Sequence, residues 1–275
     1  MQAISLWPVE DRRQIIGVFT DIDDTLTTSG AITPDASQAL ADLRAAGLHV
    51  IAITGRPVGW SEPFARSWPV DAIVAENGAV ALVRQHGKSP HPRPLPEGEG
   101  VKKLYQQDGA TRAANFARML QVARRVLREV PDTTLAEDSP GRETDMAIDH
   151  SEFTHLPSDK IAQVMQIMQS EGMCATVSSI HINGWFGAHN KLEGARWIVR
   201  ELWGRALDTE IDRWVYVGDS TNDQLMFQHF PQSIGVANIR RFEAELTHSP
   251  RYITQEERGA GFAEVARVLL AVRMR

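Results

Sequence analysis

Residues 17–30 read GVFTDIDDTLTTSG, an apolar run that ends with three aspartates in four positions, Asp21, Asp23 and Asp24. A short continuous apolar run is what a strand buried on both faces of a parallel sheet looks like. A structural turn needs one such carboxylate as a cap and has no use for the others, which repel it. The crowding therefore calls for a cation. Asp21 and Asp23 stand two residues apart, so in extended backbone their side chains project to the same side. Hard oxygen ligands without Cys or His suit Mg²⁺.

The same pattern recurs outward along the chain. HVIAIT ends at Thr54, DAIVAEN ends near Glu76, and RWVYVGD ends at Asp219, four residues before Asp223. Between the first two runs, TPDASQALADLRAAGL has Thr33 as a cap, Pro34 at the first helical position, Leu40 and Leu43 on one face and Gly47 as a stop. Strands alternating with helices predict an α/β fold with a Rossmann-like, doubly wound parallel sheet, whose ligands bind beyond the carboxyl ends of the strands. All the polar strand ends then share one rim. Mg²⁺ commonly shares its shell with a substrate phosphate. Thr54, Gly55 and the amides of TGR can donate to phosphate oxygens, and Lys191 adds a mobile positive charge.

This rhythm breaks at residues 86–100, HGKSPHPRPLPEGEG, where alternating prolines favour extended backbone and build no core. An amphipathic segment, ARMLQVARRVLREV, follows, then the strand-like pieces TTLAE and TDMAID. A helix from Ser158 with Ile161, Val164, Met165 and Met168 on one face comes next, then MCATVSSIHIN. Helices with paired strands predict an inserted α+β cap domain over residues 87–187, with the core formed by 1–86 and 188–275. The methionine stripe reads as core packing.

Composition removes other classes. A net charge of -6 over 275 residues argues against nucleic acid as a partner, because backbone-phosphate binding needs clustered Lys and Arg. The cluster Arg124, Arg125 and Arg128 reads as a solvated helix face. No apolar run is long enough to cross a membrane, and the first residues lack a signal-peptide pattern, so the expected location is cytoplasmic. The lone cysteine, Cys174, reads as a small buried hydrophobe. No residue pattern fixes an oligomeric state.

The pieces DIDDTLT, TGR, AENGA, the lysine of HNKLEGA and GDSTND stand in an order that resembles the haloacid dehalogenase (HAD) superfamily of phosphatases. Within it they are similar to the Cof-type, subfamily IIB branch of sugar phosphatases, related to sucrose-phosphate and mannosylphosphoglycerate phosphatases. VANIRRFEAEL and ITQEERGAGFAEV extend the resemblance to the C-terminal part. The resemblance implies Asp21 as a nucleophile that forms an aspartyl-phosphate, and Asp23 as the acid that protonates the leaving oxygen and then activates water. It further implies Thr54, Gly55, Lys191 and Asn222 around the phosphate. Asp21, Asp219, Asp223 and the backbone carbonyl of Asp23 are implied around Mg²⁺, with direct coordination by Asp223 left open. Asp24 departs from the pattern, since many members have glycine there.

The reading that results is a Mg²⁺-dependent phosphatase acting on a small phosphorylated metabolite, a sugar phosphate. The alternatives are a phosphomutase of the phosphomannomutase type and a catalytically silent phosphate-binding module. In VSSIHIN, Ser179, His181 and Asn183 alternate with isoleucines, so a strand there has a polar face that either meets sugar hydroxyls or meets solvent. Arg56 either touches substrate or pairs at the surface. Glu76 and Asn77 read as a tight turn.

Overall fold

A computed structural model describes residues 1–84 and 100–273 of the chain. The larger of its sheets has nine strands, in the order Gln2–Ala3, Tyr252–Ile253, Gln232–Gly235, Trp214–Gly218, Gly17–Thr20, His49–Ile53, Ala72–Ala75, Val80–Arg84 and Val101–Tyr105. Neighbours are parallel up to Ala72–Ala75, and the last two strands extend the edge antiparallel. From the central strand Gly17–Thr20 the chain winds first towards one edge and, after the insertion, towards the other. That reversal opens a crevice at the strand ends on both sides of Asp21.

Burial on both faces explains the uninterrupted apolar runs. Val18, Val50 and Ala52 face helices Pro34–Ala45, Val58–Ser67 and Arg258–Leu270, whereas Phe19, Ile51 and Ile53 face helices Lys191–Trp203 and Gln224–His229. The expected α/β class is the observed one. The strand Val101–Tyr105 departs from the expected boundary: it lies within 87–187 yet pairs with Val80–Arg84 in the large sheet. Its sequence, VKKLY, lacks the apolar run of an inner strand because it closes an edge. The proline-rich segment lies outside the described residues.

A second, antiparallel sheet is ordered Cys174–Val177, His181–Trp185, Met146–Asp149 and Thr134–Leu135. Helices Gly109–Glu129 and Ser158–Ser170 supply its core through Met119, Val122, Val126, Val164 and Met168, which pack on Met146, Ile148 and Ile182. Ile182 points into this core, and its neighbours His181 and Asn183 point to the other face, where both are at most 2 % exposed. That face meets the large sheet's rim and not solvent. Cys174, expected to be buried, is exposed, because it opens an edge strand; its Sγ lies 3.4 Å from the Gly187 carbonyl. Arg125 and Arg128 pair with Glu129 on the open face of their helix, as expected of a solvated surface.

A buried carboxylate ties the two modules together. Glu76, 0 % exposed, accepts from Val58 N of its own module (3.0 Å) and from Glu143 N (3.0 Å), Thr144 N (2.6 Å) and Thr144 Oγ1 (2.5 Å) of the other. The turn expected at Asn77 is present, with Glu76, Asn77 and Gly78 at φ values of 49°, 53° and 106°. Gly78 is required sterically as well: a Cβ there would sit 2.3 Å from the Asn190 carbonyl oxygen.

Candidate active site

Three adjacent strands, Gly17–Thr20, His49–Ile53 and Trp214–Gly218, deliver Asp21, Thr54 and Asp219 to one rim. Asp21 continues the ladder through its amide, which donates to the Val217 carbonyl at 2.8 Å. Lys191 opens helix Lys191–Trp203, capped by Asn190 Oδ1, which accepts from Glu193 N at 2.9 Å. The close approach of Gly78 and Gly194 presses this helix start against the 76–79 turn. Lys191 is consequently buried at 4 % exposure, and its Nζ donates to Asp21 Oδ1 at 2.7 Å and Asp223 Oδ1 at 2.6 Å.

Asp223 is held on every side. Its Oδ1 also accepts from Tyr216 OH at 2.5 Å, and its Oδ2 accepts from Asp219 N at 2.9 Å and Ser220 N at 3.2 Å. Both oxygens therefore serve to fold the 219–223 loop and to aim Lys191. Asp219 is different. It is 1 % exposed, receives Asn238 Nδ2 at 3.0 Å and Thr25 Oγ1 at 3.5 Å, and has no salt-bridge partner among the described residues. Burial, then Asp21 and Asp223, push its carboxyl well above the usual range.

One oxygen each of Asp21, Asp219 and Asp223 lies within 4.8 Å of the others. Three buried carboxylates face one lysine here, with no nitrogen or sulfur donor in the set, which fits a hard divalent cation such as Mg²⁺. Asp21 is pushed up to about 7, by burial first, against the opposing charge of Lys191. Asp24 stays outside this set. It adopts φ 54° and pairs with Arg258 Nε at 3.0 Å, so it fills a left-handed backbone position where glycine is the easier choice.

Asp23 lines the same pocket as Asp21, with Thr54, Gly55, Arg56, Ser220 and Asn222 from the large module. Thr54 Oγ1 accepts from Arg56 N at 3.0 Å and so turns the TGR loop. Arg56 is neither free nor superficial. Its Nε donates to both Asp23 oxygens at 3.0 and 3.1 Å, and its Nη atoms reach Asp138 at 3.2 Å and Glu152 at 2.9 Å in the other module. Burial raises the Asp23 pKa, and Arg56 opposes that rise.

Ser178, Ser179 and Ile180, in the turn between strands Cys174–Val177 and His181–Trp185, close the pocket with His181 and Asn183 of the second strand. The expected strand alternation therefore holds for His181 and Asn183 and not for Ser179, which reaches the rim from the turn. His181 Nε2 lies 2.7 Å from Glu152 Oε2, and Asn183 Nδ2 donates to the Gly55 carbonyl at 3.3 Å. The enclosed space is only about 10 Å³, room for about one water. The sequence reading missed Asp138, Glu152 and Ser220. One signal for Glu152 was present: Asp149 is followed by HSEFT, and its carboxylate accepts from the amides of Ser151, Glu152, Phe153 and Thr154, an Asx-type fold of the loop.

Residues 18–108, which carry Asp21, Asp23, Thr54 and Arg56, match the family model of haloacid dehalogenase-like hydrolases. No match is found among curated proteins. Among solved structures, protein 0175 of Thermoplasma acidophilum is similar over 93% of this chain and 98% of its own, at TM-score 0.65 and 15% identity. The sucrose-phosphatase of Synechocystis sp., solved with sucrose and phosphate, is similar over the same shares at TM-score 0.63 and 14% identity. A HAD subclass IIB sugar phosphatase is similar over 92% of this chain and 96% of its own, at TM-score 0.57 and 17% identity. The family match thus falls on residues that build the rim, and the likeness to these solved structures extends the shared fold across nearly the whole chain.

Proposed function

We propose that the protein is a Mg²⁺-dependent phosphatase that hydrolyses a small phosphorylated metabolite, a sugar phosphate, through an aspartyl-phosphate on Asp21. The observation that carries this reading is the buried group Asp21, Lys191 and Asp219 at adjoining strand ends, beside the Thr54–Gly55 turn. Asp21 supplies an oxygen that attacks phosphorus as the ester P–O bond breaks. Asp23, in the same pocket, gives its proton to the departing oxygen. It then takes a proton from the water that attacks the phosphoryl group, which releases phosphate and restores Asp21. Thr54, Gly55 and Asn222 surround the phosphoryl oxygens, and Lys191 offsets their charge while holding Asp21 in place.

Asp21, Asp219 and the Asp23 carbonyl would hold Mg²⁺, whose charge neutralises phosphoryl oxygens and keeps Asp21 ionised despite its burial. Asp223 contributes by orientation, since its four hydrogen bonds already occupy both oxygens. The second module serves as a cap that excludes water from the phosphoryl transfer. Hydroxyl, imidazole and amide groups at Ser179, His181 and Asn183 suit sugar hydroxyls.

The test is release of phosphate from an aryl phosphate and from a panel of sugar phosphates, with Mg²⁺ and with a chelator. Turnover that requires Mg²⁺ and is highest on a sugar phosphate is expected. Undiminished turnover in chelator, or none on any ester, contradicts the reading.

A further inference from the structure

The cations at the pocket are all engaged by carboxylates. Arg56 binds Asp23, Asp138 and Glu152; Lys191 binds Asp21 and Asp223. Arg142, 5 % exposed, binds Asp138 and Asp145 and donates to the Gly55 carbonyl at 3.0 Å. Among the described residues that line or touch the pocket there is no other Lys or Arg. One bound divalent cation would answer the charge of one phosphate, and nothing remains to answer a second anionic group.

The geometry also says where such a group would fall. With the phosphoryl group at Asp21 and the leaving oxygen at Asp23, the rest of the ester lies on the Asp23 side. There Arg56, Glu152 and His181 form a continuous chain of contacts at 2.7–3.1 Å. The Glu152 side chain keeps 21% exposure and touches Arg56 and His181, both of which line the pocket. Its carboxyl is held at about 2, chiefly by His181 and Arg56, and stays charged at any working pH. The space under the second sheet holds about one water, and a leaving group extending from it on the Asp23 side would meet the Arg56, Glu152 and His181 contacts.

We infer that Glu152, backed by Asp138, is a charge filter that restricts this hydrolase to esters with an uncharged, hydroxyl-bearing leaving group. A carboxylate accepts hydrogen bonds from hydroxyls and repels a second phosphate or a carboxylate at short range. The inference rests on the phosphatase reading and narrows its substrate class.

The test uses matched pairs with the full-length protein and Mg²⁺: a hexose monophosphate against the corresponding bisphosphate, and glycerol phosphate against phosphoglycerate, with an aryl phosphate as reference. The wild type is expected to favour the neutral member of each pair by at least about tenfold in kcat/KM. Glu152→Gln, which keeps the shape and removes the charge, should shrink that preference about tenfold, mainly through KM for the anionic member. Asp138→Asn should shrink it in the same direction, and it decides the matter if thermal melting shows that Glu152→Gln does not fold. Turnover of aryl phosphate with no preference within the pairs, or a preference unmoved in the folded variants, overturns the filter alone. No turnover on any ester, the aryl phosphate included, overturns the phosphatase reading and the filter with it.

Discussion

The rim of the large sheet and the face of the small sheet above it are both polar, but they reach that state by different routes. On the rim, Asp21, Thr54 and Asp219 each stand just past an apolar strand, and the parallel sheet brings the strand ends together without help. Above them, His181 and Asn183 are placed by antiparallel register, opposite Asp149 and Ala147, while Asp138 and Glu152 come from loops. In the proposed function the rim would handle phosphate and metal, which every substrate would require, and the upper face would handle what differs between substrates. A site of the first kind is built into the winding of the chain, whereas one of the second kind exists only once the two modules have docked.

The sharpest way to break this contrast is at Lys191, the rim's own cation. Lys191→Met removes the donor shared by Asp21 and Asp223, and kcat should fall by roughly 10³-fold. Steady-state assays of a sugar phosphate and an aryl phosphate check this. Equal losses on both are expected, because the rim does not distinguish leaving groups; a loss confined to one of them would blur the two regions.

Docking itself is tested at Glu76. Glu76→Ala leaves the amides of Val58, Glu143 and Thr144 without their buried acceptor, at a cost of about 3 kcal/mol in denaturant unfolding. A loss under about 1 kcal/mol would mean that the modules are joined by something else.

The connection between the modules offers a pH test. His189 is buried against Trp185, its ring nitrogens lack hydrogen-bond partners, and burial lowers its pKa to about 4. This folded value lies below the ordinary 6.5, so between the two the unfolded chain binds the extra proton. His189's contribution is therefore complete above pH 6.5 and is lost progressively as pH falls towards 4, by roughly 3 kcal/mol. Urea unfolding across that range should show the slope in the wild type and a flatter one in His189→Phe.

Legibility followed the same division. Asp21, Asp23, Thr54 and Asp219 could be read because period and punctuation in the sequence mark strand ends, and Lys191 because of its order among the motifs. That Lys191 is buried depends on Gly78 lying against Asn190 and Gly194, a contact between distant segments with no local signature. Arg56 stayed undecided for the same reason, since its partners Asp138 and Glu152 belong to the other module. The strand Val101–Tyr105 was hidden by two lysines that suit an edge, and Cys174 was misjudged because an edge strand exposes residues that an inner strand would cover. The smallest expected effect follows from this last point. Cys174→Ser should change stability by no more than about 0.5 kcal/mol, and the native thiol should react with a water-soluble reagent without unfolding.

The central claim, covalent catalysis on Asp21, is best tested in Asp23→Asn. A nitrophenolate departs without needing a proton, so this variant should still accept the phosphoryl group from nitrophenyl phosphate in Mg²⁺, while the water that must remove it is no longer activated. Acid quench followed by peptide mass mapping is expected to find one phosphoryl group on the peptide that carries Asp21. A phosphoryl group on any other residue, or an unmodified protein that continues to release phosphate, would contradict the mechanism.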